Sequence, residues 1–302
     1  MRNTSCKNSA PTMARDGMRY WRLKPDARLQ PWIHCYWYVE PDPQTASVQK
    51  EVADRHQLLI PDGYSELVFR LEGSFMRWRV DAPEKAAEMR ASYVIGGRSH
   101  SVLTHTPGGL RLAGVKMDPR ALHTLLKMPL TEFRDTTVRC ADVACPSLRD
   151  LEDEVANLVS VDRLAAVFDR FFLRRLTDEV AEETSIARLL ERIRATHGAQ
   201  SIITWASDHS VDPRTLERRF LARMGMTPKQ FARIVRFKNS YRRLGVQQPG
   251  ERRTYLESYY DESHFHREFR HFLGTSPVKW MNDDARYRTT IADHLLEGEM
   301  NG

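Results

Sequence analysis

Apolar and aromatic runs separated by turn residues dominate the chain up to residue 118. Ile33-His34-Cys35-Tyr36-Trp37-Tyr38-Val39 is β-branched and aromatic, and residues 66–71, 92–95 and 110–115 repeat that character, which predicts strands. Pro61-Asp62-Gly63 and Pro107-Gly108-Gly109 fall between the runs, as turns where Pro presets φ and Gly supplies a positive φ. The pattern predicts an antiparallel β sandwich or barrel over residues 18–139, preceded by a tail of residues 1–17.

At Asp118-Pro119 the spacing becomes helical, with Asp as cap and Pro at the first position. Ser147 and Asp162 are expected to cap helices over 148–159 and 163–176. Leu148, Leu151, Val155 and Leu158, then Leu164, Val167, Phe168, Phe171 and Phe172, recur at helical spacing, so the phenylalanine stripe is read as core. Residues 140–184 are predicted to be a helical connector.

An internal repeat carries the strongest signal. Asp212-Pro213-Arg214-Thr215-Leu216-Glu217-Arg218-Arg219-Phe220, followed by Gly225-Met226-Thr227-Pro228, recurs as Asp261-Glu262-Ser263-His264-Phe265-His266-Arg267-Glu268-Phe269, followed by Gly274-Thr275-Ser276-Pro277. Each copy reads as a helix opened by an Asp cap, closed by Gly, and buried through Leu216/Phe220 or Phe265/Phe269. Short helices are predicted just ahead, over 202–209 and 252–257. Two such units are helix-turn-helix motifs, at 201–224 and 252–273. Between them, residues 228–244 contain no helix breaker. They place Phe231, Ile234, Val235, Tyr241 and Leu244 on one side and Lys229, Arg233, Arg236, Lys238, Arg242 and Arg243 on the rest.

Composition fits this division. The 302 residues are 41% hydrophobic and 28% charged, the mix of a soluble globular protein, and no apolar run approaches the roughly 18 residues of a membrane span. Residues 1–17 lack an apolar signal core, and four cysteines are too few for a disulfide scaffold, so a cytoplasmic protein with free thiols is expected. The net charge of +6 conceals a basic block: residues 201–281 hold 15 Lys and Arg against 8 Asp and Glu, whereas residues 140–184 hold 5 against 11. A polyanion site is therefore expected in the C-terminal part.

The repeat, through Ala206, Leu216-x-Arg218-x-Phe220, Gly225-x-Thr227-Pro228, Asp261-x-Ser263-His264-Phe265-x-Arg267-x-Phe269 and Gly274-x-Ser276-Pro277, resembles the DNA-binding domain of the AraC/XylS family of bacterial transcription regulators. Pro31–Trp37 and Pro61–Phe69 resemble, more loosely, a sensor-like domain of one branch of that family. The resemblance implies an α+β chain, with a β-rich sensor or dimerisation domain at 18–139, the connector at 140–184 and an all-α double helix-turn-helix domain at 185–302. It implies a sequence-specific regulator of the activator kind, binding double-stranded DNA and RNA polymerase, controlled by a small-molecule effector or by homodimerisation. The family's turn glycines are replaced by Ser210 and Ser258 and its small alanine in the second unit by Thr254. A non-glycine residue in a left-handed turn costs about 1 kcal/mol.

At about 25 Å, the linking helix would set the two reading helices roughly one turn of B-DNA apart. Arg214, Thr215, Glu217 and Arg218 form the free face of the first; Arg pairs with guanine, Glu with the cytosine amino group, and the Thr methyl with thymine. Glu262, Ser263, His264, His266 and Arg267 form the corresponding face of the second, where contact with phosphate is an equal expectation. Lys229, Arg233 and Arg236 are the expected phosphate contacts.

In the first domain, His34, His56, His100 and His105 lack the His-x-His and carboxylate spacing of a metal centre, Cys140 and Cys145 lack a second pair for zinc, and no metal or cofactor is expected. Arg15-x3-Arg19 resembles half of the motif of cyclic-dinucleotide sensors of the PilZ type, which makes Arg15 and Arg19 the candidate effector residues. No enzyme activity is expected. The alternative is an enzyme fused to a DNA-binding module, such as a methyl-accepting DNA-repair regulator, which would need an activated cysteine among Cys6, Cys35, Cys140 and Cys145.

Overall fold

The predicted strand runs correspond to strands β3 (Ile33–Pro41), β5 (Ser65–Glu72), β8 (Tyr93–Ile95) and β10 (Arg111–Met117) in the computed structural model, which describes residues 12–13, 18–43, 56–106, 109–158, 160–176, 184–246 and 254–282. Around them lie β1 (Thr12–Met13), β2 (Met18–Leu23), β4 (His56–Leu59), β6 (Phe75–Arg79), β7 (Ala82–Met89), β9 (Val102–His105) and β11 (Thr137–Arg139). Two antiparallel sheets result, ordered β1-β2-β3-β10-β5-β8-β11 and β4-β9-β6-β7. Ala82–Met89 has the composition of a helix and is exposed from Pro83 to Glu88. Its pairing with β6 makes it an edge strand, context overriding propensity.

The two faces of the large sheet serve different cores. Cys35, Trp37, Val39, Val68 and Leu112 point at the small sheet and meet Phe75 and Met89. Gly114 stands opposite Trp37, and a Cβ there would lie 2.2 Å from the indole; the bare backbone makes room for the ring. Tyr36, Tyr38, Leu67, Phe69, Ala113 and Val115 point outward, to be covered by helices α1 (Pro119–Leu126), α2 (Pro146–Ala156) and α3 (Leu164–Leu176). Phe168 and Phe172 are fully buried there, Phe168 with ring centroids 5.0 Å from Tyr36 and 5.7 Å from Phe69. Asp118 caps α1 as expected, accepting from the Arg120 amide. The two following caps are corrected: α2 opens at Cys145-Pro146 with no side-chain cap bond, and Ser160, not Asp162, caps the 3-10 turn that leads into α3.

The C-terminal half contains α4 (Thr184–Ala195), α5 (Ile202–Asp208), α6 (Pro213–Met224), α7 (Pro228–Val246), α8 (Glu262–Leu273) and α9 (Pro277–Asn282). Its core gathers Leu189, Leu190, Trp205, Phe220, Phe231, Phe237, Phe265 and Phe269, and Leu58 and Leu103 of the small sheet, with Ile60 just past β4, join the same cluster. Asp118 ties the halves further, accepting from Arg120 at 2.8 Å and from Arg194 on α4 at 3.1 Å. Phe168→Ala should cost about 3–5 kcal/mol, read as a lower urea midpoint for the first domain.

Candidate nucleic-acid interface and effector cavity

The first unit follows from local rules. Ser201 accepts from the Thr204 amide to start α5, and Ser210 makes the turn with φ of 52°, the left-handed conformation expected for the position that a glycine would otherwise take. The Asp212 carboxylate accepts from the Thr215 amide at 2.7 Å, and these helix N–H groups hold it below the usual carboxylate range. Gly225, at φ of 71°, closes α6 by donating its N–H to Leu221 O. Leu216, Phe220 and Met224 are buried, while Arg214, Glu217, Arg218 and Arg219 are exposed and Thr215 is half-buried. All four expected reading residues of the first unit thus lie at the N-terminal part of one helix, and Glu217 and Arg218 have no ion pair among the described residues.

The second unit repeats the bracket, with Asp261 accepting from the His264 amide at 2.6 Å and Gly274 closing α8 at φ of 69°. Glu262, Ser263 and Arg267 are exposed, whereas His264 is half-buried edge-on to Tyr259 and His266 lies 3.7 Å from Glu262. Two expectations are corrected. Of the helix predicted over 252–257, the described part is a 3-10 turn, Thr254–Leu256, and Ser258 is not in a left-handed conformation. The turn Ser258-Tyr259-Tyr260-Asp261 is one residue longer than Ser210-Val211-Asp212. The added residue is Tyr260, 93% exposed just ahead of the cap, a candidate for contact with DNA that the sequence reading did not name.

The linking helix α7 opens with a capping box, Thr227 and Gln230 bonding each other's amides. Lys229 is exposed. Arg233 and Arg236, the other two expected phosphate contacts, have a partner inside the protein. Both reach the buried Glu268 of α8, at 2.7 Å and 3.8 Å, and Arg236 also donates to Gly198 O and lies over the Tyr259 ring. A carboxylate at a core position of α8 must be paired, and these guanidiniums pair it.

In the first domain a cavity of about 90 Å³ opens between the two sheets. Met18, Tyr20, Val39, Leu59, Phe75 and Leu112 form apolar wall, and Asp62, Glu66, Arg77, Arg98 and Lys116 lie at its polar end. Lys116 pairs with Asp62, both buried. Burial opposes both charges, yet Lys116, Lys238 and Arg98 hold the Asp62 carboxyl well below its ordinary range, and Asp62 and Glu66 keep Lys116 above its own. Arg77 is pushed down to about 10 by burial and by the charge of Arg98. None of these was assigned to a site from the sequence, where Asp62 and Glu66 stood only in a turn and in the sensor-like segment; the signal was a lysine interrupting the apolar run of β10.

The candidate effector residues fall elsewhere. Arg15 lies outside the described residues. Arg19, on β2, pairs with Glu40 and borders an outer cleft of about 300 Å³ that Arg111, Trp21 and Leu164 also line. Cys35, Cys140 and Cys145 are buried free thiols; burial pushes Cys35 up and Cys140 to about 12, the reverse of an activated nucleophile. Cys6 lies outside the described residues. Among the described residues no helix is long and apolar enough to cross a membrane, and no His, Cys, Asp and Glu cluster forms a metal site.

Residues 205–283 match the model of a helix-turn-helix domain, over the two capped and closed units described above. The C-terminal domain is an AraC-type helix-turn-helix domain. Residues 21–139 match a domain of unknown function, DUF6597. No curated protein matches the chain. Among solved structures, ToxT from Vibrio cholerae O395 is similar at 8% identity over 76% of this chain and 95% of that one, with a TM-score of 0.40. The unsaturated fatty acid bound ToxT of Vibrio cholerae strain SCE256 is similar at 10% identity over 93% and 97%, with a TM-score of 0.41. The AraC-like transcriptional activator CuxR follows at 11% identity, 76% and 78%, with a TM-score of 0.24. With its AraC-type domain the chain is a DNA-binding transcription regulator.

Two predictions separate the basic residues of the AraC-type domain. Lys229→Ala should lower the slope of log K against log salt by about one, as loss of one phosphate contact does, whereas Arg236→Ala should leave the slope unchanged and lower the thermal midpoint. Tyr260→Ala should weaken binding to DNA, read by fluorescence anisotropy, with unchanged thermal stability, because its side chain is 93% exposed among the described residues.

Proposed function

We propose that the chain is a sequence-specific transcription activator that lays α6 and α8 into successive major grooves of one DNA duplex. The observation that carries this reading is the pair of Asp-capped, Gly-closed helices, each with an exposed polar face at its N-terminal end. In the first unit Arg214, Glu217 and Arg218 read bases, with Thr215 offering its methyl. In the second, Glu262, Ser263 and Arg267 face the duplex, with His264 and His266 at the edge of that face. Lys229 and the helix N-termini hold phosphates, which fix register without reading sequence.

The 19 residues of α7 span about 28 Å at 1.5 Å per residue, and the Glu268 ion pairs anchor α8 to it. The first domain is the regulatory half: its inner cavity, apolar on the walls and charged at one end, suits a small organic effector. RNA polymerase is the partner through which an activator of this kind works.

The cognate duplex is obtained by enrichment from a random library. On it, Arg218→Ala should cost about 1–3 kcal/mol and flatten the preference at one base position. Equal loss on cognate and random DNA would remove Arg218 from base reading.

A further inference from the structure

The turn that leads into α8 presents a large aromatic side chain to solvent. Of the large hydrophobic residues exposed among the described residues, Ile203 lies on α5, Val278 and Met281 lie on α9, and Tyr260, the most exposed at 93%, adjoins the N-terminal end of α8. Its neighbours fix it there. Tyr259 is buried, with its ring centroid 5.3 Å from Phe265 and 5.2 Å from His264, both edge-on, and with Arg236 Cζ 5.3 Å above it. One residue past Tyr260, the Asp261 carboxylate accepts from the His264 amide at 2.6 Å. The backbone of Tyr260 is thus held between a buried ring and a helix cap, which keeps small the ordering cost of a contact made by its side chain.

The two units differ at this place. In the first, Val211 alone stands between Ser210 and Asp212, half-buried against the C-terminal core. Val211 matches the buried Tyr259, and Tyr260 has no counterpart. The polar faces differ as well. Arg214, Glu217 and Arg218 are exposed on α6. On α8, Glu262 lies 3.7 Å from His266, His264 is half-buried against Tyr259, and Ser263 offers a single hydroxyl, so that Arg267 is the exposed side chain carrying a fork of donors. Base pairs are told apart by paired hydrogen bonds or by apolar contact, and in the major groove the apolar group is the C5 methyl of thymine. The second unit is the poorer of the two in groups for the first kind of contact, and Tyr260 equips it for the second.

We propose that Tyr260 is a specificity-determining residue of the second unit, its ring packing on the C5 methyl group of a thymine in the major groove that α8 enters. This rests on the proposed function, in which α8 lies in a groove. The first turn of a reading helix is the part that meets base edges, and a ring just ahead of the cap stands beside that turn, so the thymine neighbours the base pairs faced by Glu262 and Ser263. On binding, the exposed ring and the methyl group lose water together. The first unit then selects by hydrogen bonds, and the second adds selection by a methyl group.

The test uses the full chain and a duplex enriched from a random library. Each thymine in turn is replaced by deoxyuridine, which removes the methyl group and keeps every hydrogen-bonding group of the base pair, and binding is read by fluorescence anisotropy at fixed salt. At one thymine the replacement should weaken binding by the native chain about fourfold, the worth of burying one such group. The same replacement should leave binding by Tyr260→Ala unchanged and should weaken Tyr260→Phe as much as the native chain. Tyr260→Ser should behave as Tyr260→Ala, so that the outcome does not hang on the folding of one variant. A response at a thymine that meets Thr215 should persist in all three variants. The proposal is overturned if no thymine responds in a way that depends on Tyr260. It is overturned equally if Tyr260→Phe binds as weakly as Tyr260→Ala, which would give the work to the hydroxyl on a phosphate. Failure to enrich any duplex would instead count against the proposed function, and the role of Tyr260 would fall with it.

Discussion

The arrangement of the DNA-binding half depends on one buried acid. Glu268 stands on the inward side of α8 among phenylalanines, and Arg233 and Arg236 of α7 neutralise it. Removing one partner from a buried pair typically costs several kcal/mol because the remaining charge is stranded. The pairing therefore ties the second reading helix to the linking helix, and the linking helix is already fixed to the first unit through Phe220 and Phe231. The two units are joined in this way, so the distance between their exposed faces is set within the protein itself.

The same helix also meets the first domain. Phe231 touches Gly63, Arg194 bonds Asp118, and apolar residues of β4 and β9 enter the C-terminal core. Cores shared in this way transmit displacement, since close-packed interiors yield in discrete steps rather than continuously. The two domains are thus in contact through α7. Arg214, Glu217 and Arg218, the expected base contacts, remain exposed in this arrangement; what the contact can alter is the relation between the two units rather than access to either one.

Sequence reasoning reached the two Asp-capped, Gly-closed helices because they obey local rules. An Asp cap, a closing Gly and apolar spacing of four are each determined within a dozen residues, and all appear at Asp212–Gly225 and Asp261–Gly274. It reached the central strands for the same reason, as β-branched and aromatic runs. The pairing of Arg233 and Arg236 was illegible because their partner, Glu268, is 35 and 32 residues away and its burial follows only from tertiary packing. The inner cavity was illegible for a similar reason: Asp62, Arg77, Arg98 and Lys116 come from separate strands and loops, and Pro61-Asp62-Gly63 signals a turn whatever its side chains go on to do. Tyr260 was passed over because the repeat, aligned copy on copy, hides a turn one residue longer. β7 was missed because its residues favour a helix and only pairing with β6 makes them a strand.

The central claim is that α6 and α8 occupy successive grooves of one duplex. Hydroxyl-radical footprinting with methylation interference, on a duplex enriched from a random library, tests it most directly. The account predicts two patches of major-groove interference centred about 10 base pairs apart on one face of the duplex, both lost together when Glu268 is replaced by Gln. A single patch, unaffected by that replacement, would contradict it.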